Sequence, residues 1–157
     1  MKLIKIFFYL IYHNYEVGEN VYKCSEVFRR MRYEYAPELQ LKAEEICKLL
    51  FPHVKIGYFR CIRSYGTSSR GTIARCHALG KVMQKAMGLK AFYALEFLAE
   101  RFDKMDAEEQ IKVIIHELMH IPVAFGGGFK HHDVVTDRNV NLKYKEYKKL
   151  SENENFF

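Results

Sequence analysis

The chain has 157 residues, 49% of them hydrophobic and 28% charged, with three prolines and nine glycines. That length fits one domain able to bury a core, and the composition excludes a disordered, collagen-like or repeat architecture. The net charge of +6 favours anionic partners such as nucleic acid, but only as a weak association, because the basic residues are spread along the chain. The densest groups, Arg29 to Arg32 and Lys143 to Lys149, read first as solvated helix faces and only second as nucleic-acid contacts.

The first twelve residues, MKLIKIFFYLIY, carry an apolar run that is too short to span a bilayer and lacks a small-x-small cleavage site. A buried element or an interfacial anchor is the expectation, with no membrane span, in a cytoplasmic protein. Cys24, Cys47, Cys61 and Cys76 show no CxxC spacing. They fit free, mostly buried thiols in a reducing compartment better than disulfides or a four-cysteine zinc site. Cys24 to Arg32 has helical potential, with basic residues on one side.

Pro37 opens a helix over Glu38 to Leu50, whose apolar stripe is Leu39, Leu41, Ile46, Leu49 and Leu50; Phe51-Pro52 stops it. Val54 to Ile62 reads as a strand. Ser64 to Thr72 (SYGTSSRGT) is a loop that lacks the GK[ST] element of a phosphate-binding turn. Ile73 to Leu79 fits a second strand, and Gly80 to Met87 a helix capped by Gly88. Phe92 to Glu100 (FYALEFLAE) fits a strand, with Asp103 to Asp106 as the connection that follows.

The next helix carries the chemistry. Asp106 can cap it, and Glu109 three residues on completes a capping-box pattern. Ile111, Ile114, Ile115, Leu118, Met119 and Ile121 place apolar residues nearly all round, as in a buried helix. Pro122 ends it, Gly126-Gly127-Gly128 turns the chain, and Arg138 to Leu150 reads as a last helix before a polar tail. Within the buried stretch lies His116-Glu117-Leu118-Met119-His120, an HExxH motif. Histidines at i and i+4 share one helix face and can point at one metal ion, with the glutamate beside them to take a proton from water. A buried, unpaired carboxylate is costly, and a bound cation removes that cost.

Catalytic zinc takes three protein ligands and keeps a position for water. Six residues after His120 is Gly126, which cannot coordinate, so the third ligand lies farther on. His132 is the first choice, His131 the second and Glu146 the third. One Zn²⁺ on His116, His120 and His132, with Glu117 as general base, would hydrolyse a peptide bond. His131, Arg138 and Tyr144 are candidate second oxyanion donors. The alternatives are a non-peptide zinc hydrolase on the same fold and a basic nucleic-acid-associated protein with structural histidines.

The run IKVIIHELMHIPVAFGGGFKHH, with ARCHALGKVMQKAMGL and FLAERFD before it, resembles the putative phage-type metallopeptidases. Their pattern is HELxHIP, a Gly-Gly turn, then a histidine. More distantly the chain is similar to the SprT-like zinc peptidases. The resemblance runs from about Tyr33 to Tyr144 and puts the third histidine on His132. It implies an α+β, zincin-like single domain over residues 33–150, with a small mixed sheet packed on the HExxH helix. Residues 1–32 would be an N-terminal extension and 151–157 a polar tail. The zincin arrangement implies a peptide or protein substrate lying along an edge strand, for which Phe92 to Glu100 is the candidate.

Overall fold

The computed structural model describes residues 30–154. The apolar N-terminal run, most of the Cys24 to Arg32 segment expected to be helical and nearly all of the expected extension lie outside them. Among the described residues the elements run β1 (Arg32–Tyr35), α1 (Pro37–Leu50), β2 (Phe59–Tyr65), β3 (Ala74–Ala78), α2 (Lys81–Met87), β4 (Tyr93–Leu98), α3 (Ala99–Phe102), α4 (Ala107–Met119) and α5 (Asp137–Glu154). The architecture is α+β, as expected. No described helix is long and apolar enough to cross a membrane.

The four strands form one mixed sheet in the order β1-β2-β4-β3. The central pair, β2 and β4, is parallel, with Phe59 opposite Tyr93 and Ser64 opposite Leu98. Each edge strand pairs antiparallel with its neighbour. Phe59 and Cys61 of β2 and Tyr93, Leu95 and Phe97 of β4 are buried in the core, together with Leu39, Ile46 and Leu50 of α1, Ile114, Ile115 and Leu118 of α4, and Val140, Tyr144 and Tyr147 of α5. α1 and α4 therefore cover one face of the sheet, and α5 packs against those two helices. Along β3 the inward residues are Ala74, Cys76 and Ala78, small enough for α4 to lie against the strand.

Several boundaries differ from the sequence reading for physical reasons. The expected strand Val54 to Ile62 starts only at Phe59, because Val54 to Tyr58 form turns in which Gly57 takes φ 87°. It then continues through Ser64 and Tyr65. β1 shows no alternating apolar signal, since all four of its residues are exposed, and the sequence reading has no strand there. The last helix runs to Glu154, four residues beyond Leu150. Ala99 and Glu100, expected in the strand, belong instead to α3.

The largest correction concerns the edge. Phe92 to Glu100 does contain a strand, but β4 is internal, bonded to β2 and β3 on its two sides. Tyr93, Leu95, Phe97 and Leu98 are fully buried, the near-continuous apolar run typical of a strand inside a sheet. The open edge beside α4 is β3.

Candidate metal centre

Asp106 starts α4 by accepting the Glu109 N–H at 2.9 Å. The reciprocal half of the capping box is not made, because Glu109 turns its carboxylate to Lys112 at 2.8 Å. The helix packs into the core on one side, through Ile114, Ile115 and Leu118. Its other face is open to a cleft of about 870 Å³ lined by Glu109, Lys112, Val113, His116, Glu117 and His120, and across from them by residues 71–77. The expectation of a helix buried all round was too strong, since Lys112 and His116 interrupt the apolar set on the open side.

Three of the sequence-chosen residues meet at the floor of this cleft. Ring nitrogens of His116, His120 and His132 all lie within 4.8 Å of one another. His116 and His120 owe their proximity to the helical repeat, with ring centroids 4.9 Å apart. His132 arrives from the loop after α4, its ring centroid 5.4 Å from that of His116 and 4.7 Å from that of His120.

That loop is fastened at several points. Lys130 N–H donates to the His120 carbonyl at 2.9 Å, and the His120 ring Nδ1 lies 2.6 Å from the Lys130 carbonyl. A carbonyl can only accept, so Nδ1 carries the proton and Nε2 keeps its lone pair free. The buried Tyr93 hydroxyl donates to the Gly128 carbonyl and accepts from the Gly127 N–H, each at 3.0 Å. The Gln84 side-chain amide donates to the Leu79 carbonyl at 2.6 Å and the Gly126 carbonyl at 3.2 Å. Gly127 sits at φ +81°, where a Cβ would come within 2.3 Å of the Leu79 carbonyl oxygen. Phe129 then stacks on His120, with ring centroids 4.4 Å apart.

The electrostatics suit a cation. Burial, then the neighbouring His120 and His132, hold His116 down at about 4, with Asp137 opposing them. Burial likewise lowers His120. Both imidazoles are therefore neutral near pH 7, the form that coordinates metal. Burial pushes Glu117 up to about 8, only partly offset by the Cys76 N–H that donates to it from β3. A cation among the three histidines would favour the carboxylate form. The donor set, three imidazoles of which one is oriented by a backbone carbonyl, fits a transition-metal ion.

The remaining candidates fall elsewhere. His131 is outside the cluster, its ring set edge-on to Phe129 at 5.8 Å. Glu146 pairs with Lys143 at 2.8 Å on α5. Neither Arg138 nor Tyr144 lines the cleft, and Tyr144 sits under Lys112 at 5.3 Å. The thiols of Cys47 and Cys76 are pushed up to about 12 by burial, and no described cysteine joins a metal-binding group. Arg75 and His77 line the cleft and escaped the sequence reading, where they register only as polar positions of a short strand.

The family model for putative phage metallopeptidases matches residues 31–154. The chain belongs to that family. No curated protein and no solved structure matches it. A metallopeptidase family implies a metal ion, and the three histidines are a group able to bind one.

Proposed function

We propose that this chain is a zinc-dependent peptidase, with His116, His120 and His132 holding one Zn²⁺ and Glu117 acting as the general base. One observation carries the reading: three imidazoles and a buried carboxylate converge at the floor of a cleft whose wall is an open strand edge. A zinc ion bound there would polarise a scissile carbonyl and acidify water.

The protein's own groups account for the rest. The Lys130 carbonyl fixes the His120 tautomer, so its Nε2 points a lone pair into the site. Glu117, aimed by the Cys76 N–H, takes a proton from water onto its carboxylate and passes it to the leaving amine nitrogen. The Leu98 N–H donates to the Ile73 carbonyl and the Leu79 N–H to the Phe92 carbonyl. With the β3–β4 register, these bonds turn the main-chain groups of Arg75 and His77 toward β4 and those of Ala74, Cys76 and Ala78 outward. An extended peptide or protein segment adds to that edge as a further strand. β3 thus takes the part that the sequence reading gave to Phe92 to Glu100.

The test is zinc content and peptide hydrolysis of the purified chain beside Glu117→Gln. Both proteins should hold about one zinc per chain, and the substitution should cost roughly 10²- to 10⁴-fold in rate. Hydrolysis that survives Glu117→Gln at full rate, or a purified chain that binds no metal, rules the reading out.

A further inference from the structure

β3 has a second face. Ala74, Cys76 and Ala78 point into the core, so Arg75 and His77 point to the opposite side of the sheet. There they share one acceptor. Glu96 of β4, 5% exposed, accepts from the Arg75 Nη1 at 3.2 Å and from the His77 Nε2 at 2.8 Å. Burial opposes its ionisation, but His77, Ser64 and Arg75 together hold its carboxylate below its usual range. Arg75 and His77 themselves stay 39% and 54% exposed, and both border the cleft.

We propose that this cluster is a specificity subsite that selects an acidic side chain, Asp or Glu, in the substrate strand. The inference rests on the peptidase reading for the occupant of the edge. In an antiparallel pairing, the outward main-chain groups of Ala74 and Ala78, with the Cys76 carbonyl, make the hydrogen-bonded pairs, while the Cys76 N–H stays with Glu117. Substrate residues opposite Arg75 and His77 then fall in the non-hydrogen-bonded pairs, where facing side chains come closest. They also lie on the Arg75 side of the sheet. Glu96 engages the guanidinium at Nη1, and with the Arg75 side chain 39% exposed an incoming carboxylate can reach its remaining N–H donors. Because Cys76 sits beside Glu117, the selected residue lies within about two positions of the bond to be cut.

The experiment uses the zinc-loaded full chain and a set of unstructured peptides, identical except that one Glu is walked along a Gln background. At one position Glu should raise kcat/KM about five-fold over Gln, the size of a partly exposed ion pair. Binding of the same peptides to the Glu117→Gln chain, followed by fluorescence anisotropy, should show the same position and ratio. Arg75→Gln should bring the ratio to about one, and Arg75→Glu should move the preference to Lys. A binding scan that is flat at every position, or a preference that survives Arg75→Gln, overturns the subsite. Position-dependent binding without hydrolysis leaves the subsite standing and removes the peptidase reading. The peptide scan needs no substitution in β3, so a misfolded Arg75 variant cannot decide the matter.

Discussion

The candidate metal centre is assembled from two kinds of chain. His116 and His120 sit on α4, where the helical repeat alone brings their rings to 4.9 Å. His132 sits on a loop with no repeat to place it, and reaches the same spot through contacts with Tyr93, Gln84 and His120. The helix arm is specified by spacing and by burial of Ile114, Ile115 and Leu118. The loop arm is specified by hydrogen bonds from residues up to 42 positions away. A local rule makes two of the three histidines easy to encode; the third needs the tertiary fold.

The sharpest way to break this comparison is to remove the loop ligand. His132→Ala leaves two histidines on the helix and should reduce zinc content to near zero, with hydrolysis lost in proportion. His131→Ala removes a ring that lies outside the cluster and should retain about one zinc per chain. Metal analysis of the two purified proteins reads the difference directly. Full zinc in His132→Ala would mean that the loop arm is not part of the centre.

Next come changes that keep all three ligands and disturb only the path of the loop. Gly127→Ala drives a Cβ within 2.3 Å of the Leu79 carbonyl oxygen at φ +81°. Backbone cannot yield there as a side chain can, and the strain is about 1–3 kcal/mol. Zinc affinity, measured by competition with a chelator, should fall by roughly 10- to 100-fold, as for other groups that orient a metal ligand. Tyr93→Phe is milder. It deletes the hydroxyl that joins Gly127 to Gly128 and leaves the buried ring in place, so the fold should lose about 1–2 kcal/mol. Zinc should bind about ten-fold more weakly. Unchanged zinc affinity in both variants would show that the loop is held by something other than these contacts.

The same division explains what could be read from sequence. The HExxH spacing, the Asp106 cap and the Pro122 stop are local signals, and α4 forms where they place it. Gly88 in the left-handed conformation closes α2 for the same reason. His132 could be ranked above His131, but neither Tyr93 nor Gln84 announces itself as an anchor, because their partners are 34 and 42 residues away. Strand order was hidden for a related reason. Both β4 and β3 read as strands, and only the pairing shows that the more apolar one is internal and the smaller-residue one is the edge. The Arg75–Glu96–His77 cluster depends on that pairing too, since Glu96 lies opposite Arg75 across the register.

The smallest expected effect comes from the helix arm's own local support. Asp106→Ala removes the side-chain acceptor for the Glu109 N–H and should cost about 1 kcal/mol, or roughly 3 °C in Tm for a chain of this size. The cap lies more than two helical turns before His116, and the tertiary packing of Ile114, Ile115 and Leu118 fixes the far end of α4. Zinc affinity should therefore stay within about two-fold of the unsubstituted chain, since ΔΔG values for well-separated groups add independently. Thermal unfolding of the metal-free protein and chelator competition measure the two quantities separately. A fall in zinc affinity comparable with that of Tyr93→Phe would mean that the start of α4 is coupled to the metal centre. The helix arm would then depend on its whole length, and the contrast with the loop arm would be one of degree.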